Sequence, residues 1–553
     1  MAKNFLQKSL SLLLQRQTSI LSAAFVIMTT VIFSQILGLV RQRLLVSIFG
    51  ASNTLGIYLA ANRFPDLLFQ VIIAGALYSA FIPVFSDYLV KNREKEAYKM
   101  ASTLLMFGCI VFTFFSLLLF IFAPFVVQIA NLGANFSAEQ MTLMAMLMRV
   151  IIFSQMLFII GTFFSALLQS YSHFFVPGIA AAMYNLGIIF GILTLSSSVG
   201  IFAPAYGSIV GAFFFIIVQL PMIKKVGFRF FPSRSLETPG VISVIRLMWP
   251  RVISNAVFQI GALATLSLVS FLSNPGRNYT ILDYAQTLAF APVGLIGQTL
   301  AQATFPVLAR ERERLAEFKV TFITSFTQML YLILPISAIL LVLRIPVVRL
   351  VFGAGQFDWA ATVLTGRTLA FFSLSIFAQA LIYLVSRGFY ALHDTKTPLI
   401  VGTITTAGMV FFGALFVLRY NFGVESIAFA YSIASIANLL VLFLLLNKKI
   451  GGFDKSMFTS VTKIFLSTVF TAIALYIPIK LLDQLVFDTT RTINLLFLTG
   501  ISSIIGLSLY VFLTWIFSVK EAMTFILLFK KIGDWRGILK EREEIVDPGR
   551  INP

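Results

Sequence analysis

Apolar blocks long enough to cross a bilayer, about 20 residues each, recur along this chain between short polar breaks. Examples are "SILSAAFVIMTTVIFSQILGLV" (19–40), "LLMFGCIVFTFFSLLLFIFAPFVV" (104–127) and "ISSIIGLSLYVFLTWIF" (501–517). The pattern predicts fourteen helical spans, at 19–48, 62–89, 97–128, 140–171, 177–197, 201–224, 241–272, 280–309, 317–344, 361–390, 397–419, 424–446, 459–482 and 492–518. The first 18 residues are polar and amphipathic, and no small-residue cleavage site follows the first apolar run. That run reads as a retained helix rather than a signal peptide. The fold class is therefore an all-α polytopic membrane protein.

The breaks between blocks repeat themselves. "PFVVQIANLGANF" (124–136) and "PVVRLVFGAGQF" (346–357) both start an apolar run with proline and end in a glycine turn before Phe. Pro124 and Pro346 lie 222 residues apart, as do Gly133 and Gly355. "SAFIPVF" (79–85) meets "QATFPVL" (302–308), "SYSHFFVP" (170–177) meets "ALHDTKTP" (391–398), and "MIKKVG" (222–227) meets "LNKKIG" (446–451). Matches in one order at a near-constant offset mean an internal repeat. Each copy holds six spans, and an even number leaves both copies in the same orientation. The repeats are parallel, about an axis along the membrane normal. Two six-helix lobes facing each other suit transport, with a site between them near mid-membrane and one lobe rocking against the other. The expected divisions are a cytoplasmic amphipathic N-terminus (1–18), an N-lobe (19–224), an inter-lobe linker (225–240), a C-lobe (241–446), two further spans (459–518) and a charged tail (519–553).

Composition agrees: 59% of the 553 residues are hydrophobic, 11% are charged, and the mean hydropathy is +0.94. A soluble protein of this length needs far more polar surface. The net charge of +19 suggests nucleic acid until its placement is read. One set of alternate loops collects 30 of the 41 Lys and Arg, and the opposite loops hold eight. This bias is the positive-inside signature, and it puts both termini in the cytoplasm. The basic charge then serves topology and lipid contact. The single Cys109 excludes a disulfide framework, and the two histidines, His173 and His393, sit in short turns. No metal-ligand cluster, phosphate-binding loop or nucleophile elbow occurs, so neither ATP hydrolysis nor other hydrolytic chemistry is expected.

Ionisable residues inside a membrane usually face a cavity and carry function. Arg41 and Arg43 end span 1, Arg63 and Asp66 flank Pro65 in "ANRFPDLLFQ", and Arg149, Arg251 and Arg367 lie in spans 4, 7 and 10. The balance is basic, and Arg binds phosphate oxygens in a bidentate fork. A cationic cavity for an anionic substrate, a phosphate or diphosphate headgroup, follows. The alternative is that these arginines snorkel to interfaces or pair with carboxylates such as Asp66. Asp66 is the only carboxylate well inside the first lobe's spans, which disfavours a cation-coupled drug antiporter.

"LGLVRQRLLVSIFGAS" (37–52), "NRFPDLLFQVIIAGALYSAFIPVFSDY" (62–88), "VFGAGQFD" (351–358) and "SRGFYALHDTKTP" (386–398) resemble the MurJ/MviN family. These are lipid II flippases of the multidrug/oligosaccharidyl-lipid/polysaccharide exporter superfamily, and the likeness runs through spans 1–12 in order. The resemblance implies fourteen helices, a V-shaped pair of lobes, a central cationic cavity for a lipid-linked diphosphate sugar, and a groove from spans 13 and 14 for its polyprenyl tail. It carries substrate contact onto Arg41, after the LG turn, and onto Arg63, before the span 2 proline. At other positions the chain departs from the family's charges: Gln35, Gly56, Ala74, Gln286 and Thr287 stand where charged residues are expected. Gln35, Gln259 and Gln286 can still hydrogen-bond phosphate or sugar hydroxyls at lower field.

The leading expectation is a flippase, not an enzyme, that moves lipid II across the bacterial cytoplasmic membrane by alternating access. Its implied partners are a polyprenyl-diphosphate sugar, membrane lipids and cell-wall synthesis proteins. No cofactor is expected, and the sequence assigns neither a coupling ion nor a role for the membrane potential. One rival is a flippase for another polyprenyl-diphosphate glycan. A second is a transport-inactive paralogue acting as a scaffold for envelope assembly.

Overall fold

A computed structural model describes residues 20–71, 75–235, 237–453, 455–485 and 492–522, and these are helical almost throughout. In the first half run α1 (Ile20–Phe49), α2 (Asn53–Phe69), α3 (Gly75–Val90), α4 (Glu94–Ile121), α5 (Ala123–Ala130), α6 (Ala138–Ser170), α7 (Phe175–Val199), α8 (Ala203–Ile217) and α9 (Leu220–Lys225). The second half repeats the order with α10 (Val241–Val269), α11 (Pro275–Pro292), α12 (Thr299–Arg310), α13 (Leu315–Val342), α14 (Arg344–Phe352), α15 (Trp359–Ser373), α16 (Ile376–Ala391), α17 (Lys396–Ala414) and α18 (Glu425–Lys449). α19 (Lys455–Leu485) and α20 (Thr492–Ile516) follow and pack on α13 and on each other.

Among the described residues, eleven helical stretches are long and apolar enough to cross a membrane, against the fourteen expected along the chain. One of the eleven, Phe175–Lys225, covers both expected spans 5 and 6. It folds back at Gly200, whose φ of +56° suits a residue without Cβ. Of the expected spans 2 and 7, the described residues include the shorter apolar stretches Ala80–Val90 and Gln259–Val269.

Local signals set the helix starts. Ser137 and Gln140 form a capping box at α6, and the Ser52 and Asp358 side chains accept the first free amides of α2 and α15. The α7–α8 hairpin closes glycine on glycine. A Cβ at Gly187 would lie 2.2 Å from the Gly211 Cα, and one at Gly191 would lie 2.4 Å from the Gly207 Cα. The motifs "GIIFG" and "GSIVG" are small-xxx-small stripes that let two backbones touch without a hydrophobic driving force.

The duplicated proline–glycine stretches turn out to be reciprocal clasps. Each short helix, α5 or α14, leads into a turn that crosses to the other half. The Gly133 amide donates to Ser270 Oγ at 2.8 Å, just past α10, and Ser267 Oγ donates to the Ile129 carbonyl at 3.2 Å. Opposite, the Gln356 amide donates to the Ser47 carbonyl in α1 at 3.0 Å. A Cβ at Gly133 would lie 2.4 Å from the Ser270 carbonyl oxygen, and one at Gly355 would lie 2.1 Å from that of Ser47. Between the clasps α2 meets α11. A Cβ at Gly56 would lie 1.7 Å from the Gly276 carbonyl oxygen, so only glycine fits there. Asn53 Oδ1 accepts from the Arg277 amide at 2.9 Å across the same contact.

The N-terminal part of α10 packs on α3, and a Cβ at Gly240 would lie 2.4 Å from Met100 Sδ. α1 packs chiefly on α7 and leaves Ile32, Phe33 and Ile36 exposed.

Candidate functional site: a charged seam between the halves

α2 and α11 continue inward from their glycine contact, and the charged residues of span 2, Arg63 and Asp66, follow about two and three helical turns further along. Arg63 Nε donates to Tyr279 Oη at 2.9 Å, and its Nη2 donates to Asp283 Oδ1 at 3.1 Å. Tyr279 and Asp283 are four residues apart, so they stack on one face of α11. About a third of the Arg63 side chain and a fifth of the Asp283 side chain remain accessible. The pair is shielded without being sealed, and a ligand can compete for it.

Arg41 of α1 acts electrostatically on Asp283 and on Tyr58, Tyr184 and Tyr284. Asp66, one turn past Arg63, accepts a hydrogen bond from Gln70 and faces both Arg63 and Asp283 electrostatically. A third link joins α1 to α11: Gln42 Nε2 donates to Thr287 Oγ1 at 3.4 Å, and the Tyr284 hydroxyl donates to the Gln42 carbonyl at the same distance.

The structure thus brings Arg41, Arg63 and Asp66 together around Asp283. The expectation of a basic balance does not hold for this cluster, where two arginines meet two carboxylates. Gln286 follows Asp283 by one turn of α11 and is half-buried, as is Gln259 on α10. Gln35 is exposed on α1. The side chains of Arg251 and Ala74 lie outside the described residues.

Two of the other arginines bond backbone carbonyls elsewhere, and a third lies at the surface. Arg43 donates to the Leu350 and Val351 carbonyls, where a cation suits the C-terminal end of α14. Arg149 Nε donates to the Phe120 carbonyl at 3.0 Å and its guanidinium lies over the Phe120 ring. Arg367 is exposed on α15.

Asp283, Tyr279 and Gln42 escape a reading of the sequence that looks for basic residues. Two signals point to Asp283. It is the only carboxylate within 280–309, and it lies 220 residues from Arg63, close to the repeat offset.

Away from the seam, the second half of α20 borders an apolar groove of about 760 Å³, lined by Leu507, Val511, Phe512, Trp515 and Ala522. Among the described residues no group of His, Cys, Asp and Glu is placed to hold a metal.

Comparison with known proteins bears on the chain as a whole. The profile of the family described as "Lipid II flippase MurJ" matches residues 45–528. A probable lipid II flippase MurJ of Buchnera aphidicola subsp. Schizaphis graminum is 26% identical over 489 residues, covering 86% of this chain and 94% of its own. One from Thermotoga maritima is 28% identical over 429 residues, covering 77% and 85%. Among solved structures, lipid II flippase MurJ in an inward closed conformation aligns with a TM-score of 0.71 at 23% identity, covering 88% of this chain and 98% of that one. An inward-facing multidrug resistance MATE family transporter of the MOP superfamily aligns at 0.64 with 14% identity, over 77% and 98%. These structural likenesses speak for the fold, and the family profile speaks for descent. This chain belongs to the lipid II flippase MurJ family.

Proposed function

We propose that the chain translocates lipid II across the bacterial cytoplasmic membrane by alternating access, with both termini in the cytoplasm. In this reading residues 19–224 and 241–446 are the two rocking lobes, joined by the 225–240 linker. The clasped end faces outward, and the headgroup enters from the opposite end. The polyprenyl tail stays in lipid and rests on the α20 groove within 459–518. The charged 519–553 segment remains cytoplasmic.

The observation that carries this reading is the Arg63–Asp283 pair across the seam. Asp283 occupies the place an anionic ligand would take on Arg63. A diphosphate brings more charge than one carboxylate and can accept from the whole guanidinium fork. Its arrival beside Arg41 and Arg63, with Arg251 joining from α10, displaces Asp283. The freed carboxylate then faces the diphosphate and Asp66, all anionic, and the seam loosens on the side of the clasps. Gln35, Gln259 and Gln286 hydrogen-bond sugar hydroxyls or phosphate. No bond is made or broken, so the work is binding and release. Cell-wall synthesis proteins are the natural partners on either side of the step.

Binding of purified lipid II to the detergent-solubilised protein tests this. Wild type should bind, and Arg41→Ala, Arg63→Ala and Arg251→Ala should each weaken binding about tenfold or more, since a charge-assisted hydrogen bond contributes about 1.5–3 kcal/mol. Equal binding by all four proteins, or none by wild type, would sink this assignment of the site.

A further inference from the structure

The segment joining the halves does not hang free. Residues 228–234 run along α4, held by side-chain hydroxyls: the Phe231 amide donates to Ser102 Oγ at 2.9 Å and the Ser233 amide to Thr103 Oγ1 at 3.0 Å. The Phe228 ring packs edge-on against Tyr98, with centroids 5.5 Å apart. Yet the next two aromatics face out, with Phe230 53% and Phe231 56% exposed. Arg229 and Arg234 are exposed beside them, as are Lys224 and Lys225 at the end of α9. Glu237 is the only acidic residue between 225 and 240.

The height of this strap is what identifies its surroundings. Ser102 lies eight residues past Glu94, about 12 Å along α4 at about 1.5 Å per residue. Lys99 is the last charged residue of α4, and the helix is uncharged from there to Ile121. The strap is therefore pinned level with the point where α4 passes from charged to apolar, which is the headgroup boundary of a bilayer. Exposed aromatics flanked by Arg and Lys suit that boundary and an anionic leaflet.

We propose that residues 228–234 form an interfacial anchor, with Phe230 and Phe231 inserted at the headgroup–acyl boundary of the anionic cytoplasmic leaflet. Arg229, Arg234, Lys224 and Lys225 bind lipid phosphates around them. The anchor fixes the linker to the first half and to the membrane, so relative movement of the halves begins at Gly240.

The test places a nitroxide on Phe230→Cys or Phe231→Cys, each in full-length Cys109→Ser protein, in nanodiscs of phosphatidylcholine with and without phosphatidylglycerol. Collision with oxygen and with a water-soluble nickel chelate reports depth, and the same label on Glu237→Cys gives the aqueous reference. With phosphatidylglycerol both labels should favour oxygen and meet nickel several-fold less than the reference. Charge reversal at Arg229 and Arg234 should move them toward water. Labels as open to nickel as the reference would overturn the anchor and turn the strap into a docking surface for a soluble protein. Depth indifferent to both phosphatidylglycerol and charge reversal would overturn the role of the lipid phosphates.

Discussion

Arg63 takes two partners from the other half of the molecule, and each can be removed without touching its own charge. A double-mutant cycle on Arg63→Ala and Asp283→Ala separates the pair from what each residue loses alone. With both groups part-accessible, a coupling of about 1–2 kcal/mol in thermal unfolding is expected, and strictly additive effects would contradict a working pair. Asp283→Asn frees Arg63, so it should tighten lipid II binding where Arg63→Ala loosens it. Arg63→Lys should retain only part of wild-type binding, because Lys keeps the charge without the fork. A second carboxylate, Asp394, reports on pH from the turn between α16 and α17. It accepts from Lys449 Nζ at 2.6 Å and from the Thr397 amide and hydroxyl at 3.0 and 2.8 Å. Partial burial pushes its carboxyl up, but these donors outweigh burial and hold it down at about 2. A carboxylate depressed on folding stabilises above its unfolded value, about 4, and loses that stabilisation as pH falls through the folded value. Wild type should lose about 2 kcal/mol relative to Asp394→Asn between about pH 5 and pH 2. Parallel acid profiles for the two proteins would rule the pair out. At this scale the sequence was half legible. Arg41, Arg63 and Asp66 could be picked out because charges in apolar spans are rare. Their neutralisation by Asp283 could not, since a pairing across a lobe seam leaves no local pattern.

At the scale of elements, glycines show where helices touch. Gly56→Ala and Gly276→Ala insert a methyl group into backbone 1.7 and 2.4 Å away. Each should destabilise the protein by about 1–3 kcal/mol through forced backbone shifts. Each should also part α2 from α11, seen as a longer distance between spin labels at Asn53→Cys and Asn274→Cys. Gly108→Ala is the control, because nothing lies within 4 Å of its added Cβ. It should be neutral or stabilising by about 0.4–1 kcal/mol. Unchanged distances in Gly56→Ala and Gly276→Ala would show that the α2–α11 contact is not what closes this end. The repeat behind these contacts was readable from proline and glycine spacing alone, because turns tolerate few substitutes. That Gly133 and Gly355 clasp the opposite halves was not readable, since spacing within a copy says nothing about which copy a turn lands on. The glycine stripes of α7 and α8 were open to view as "GIIFG" and "GSIVG", yet a search for long apolar runs passes over them.

For the whole molecule, apolar length was the most legible signal. Span 2 is marked less clearly, because Arg63, Pro65 and Asp66 lie inside α2. Charge placement predicts sidedness independently of any fold. Single cysteines at 134 and 530, in a Cys109→Ser background, should label from opposite faces of the membrane with an impermeant thiol reagent. Labelling from one face would contradict the expected odd number of crossings between them. Whether the seam and clasps serve lipid II is decided most directly in cells. A strain depleted of its own lipid II flippase should regain growth and wall synthesis when it expresses this chain. Arg63→Ala, at equal membrane abundance, should restore neither. Growth restored equally by wild type and Arg63→Ala would remove the seam from the mechanism. Failure of well-expressed wild type to restore growth would contradict lipid II as its substrate.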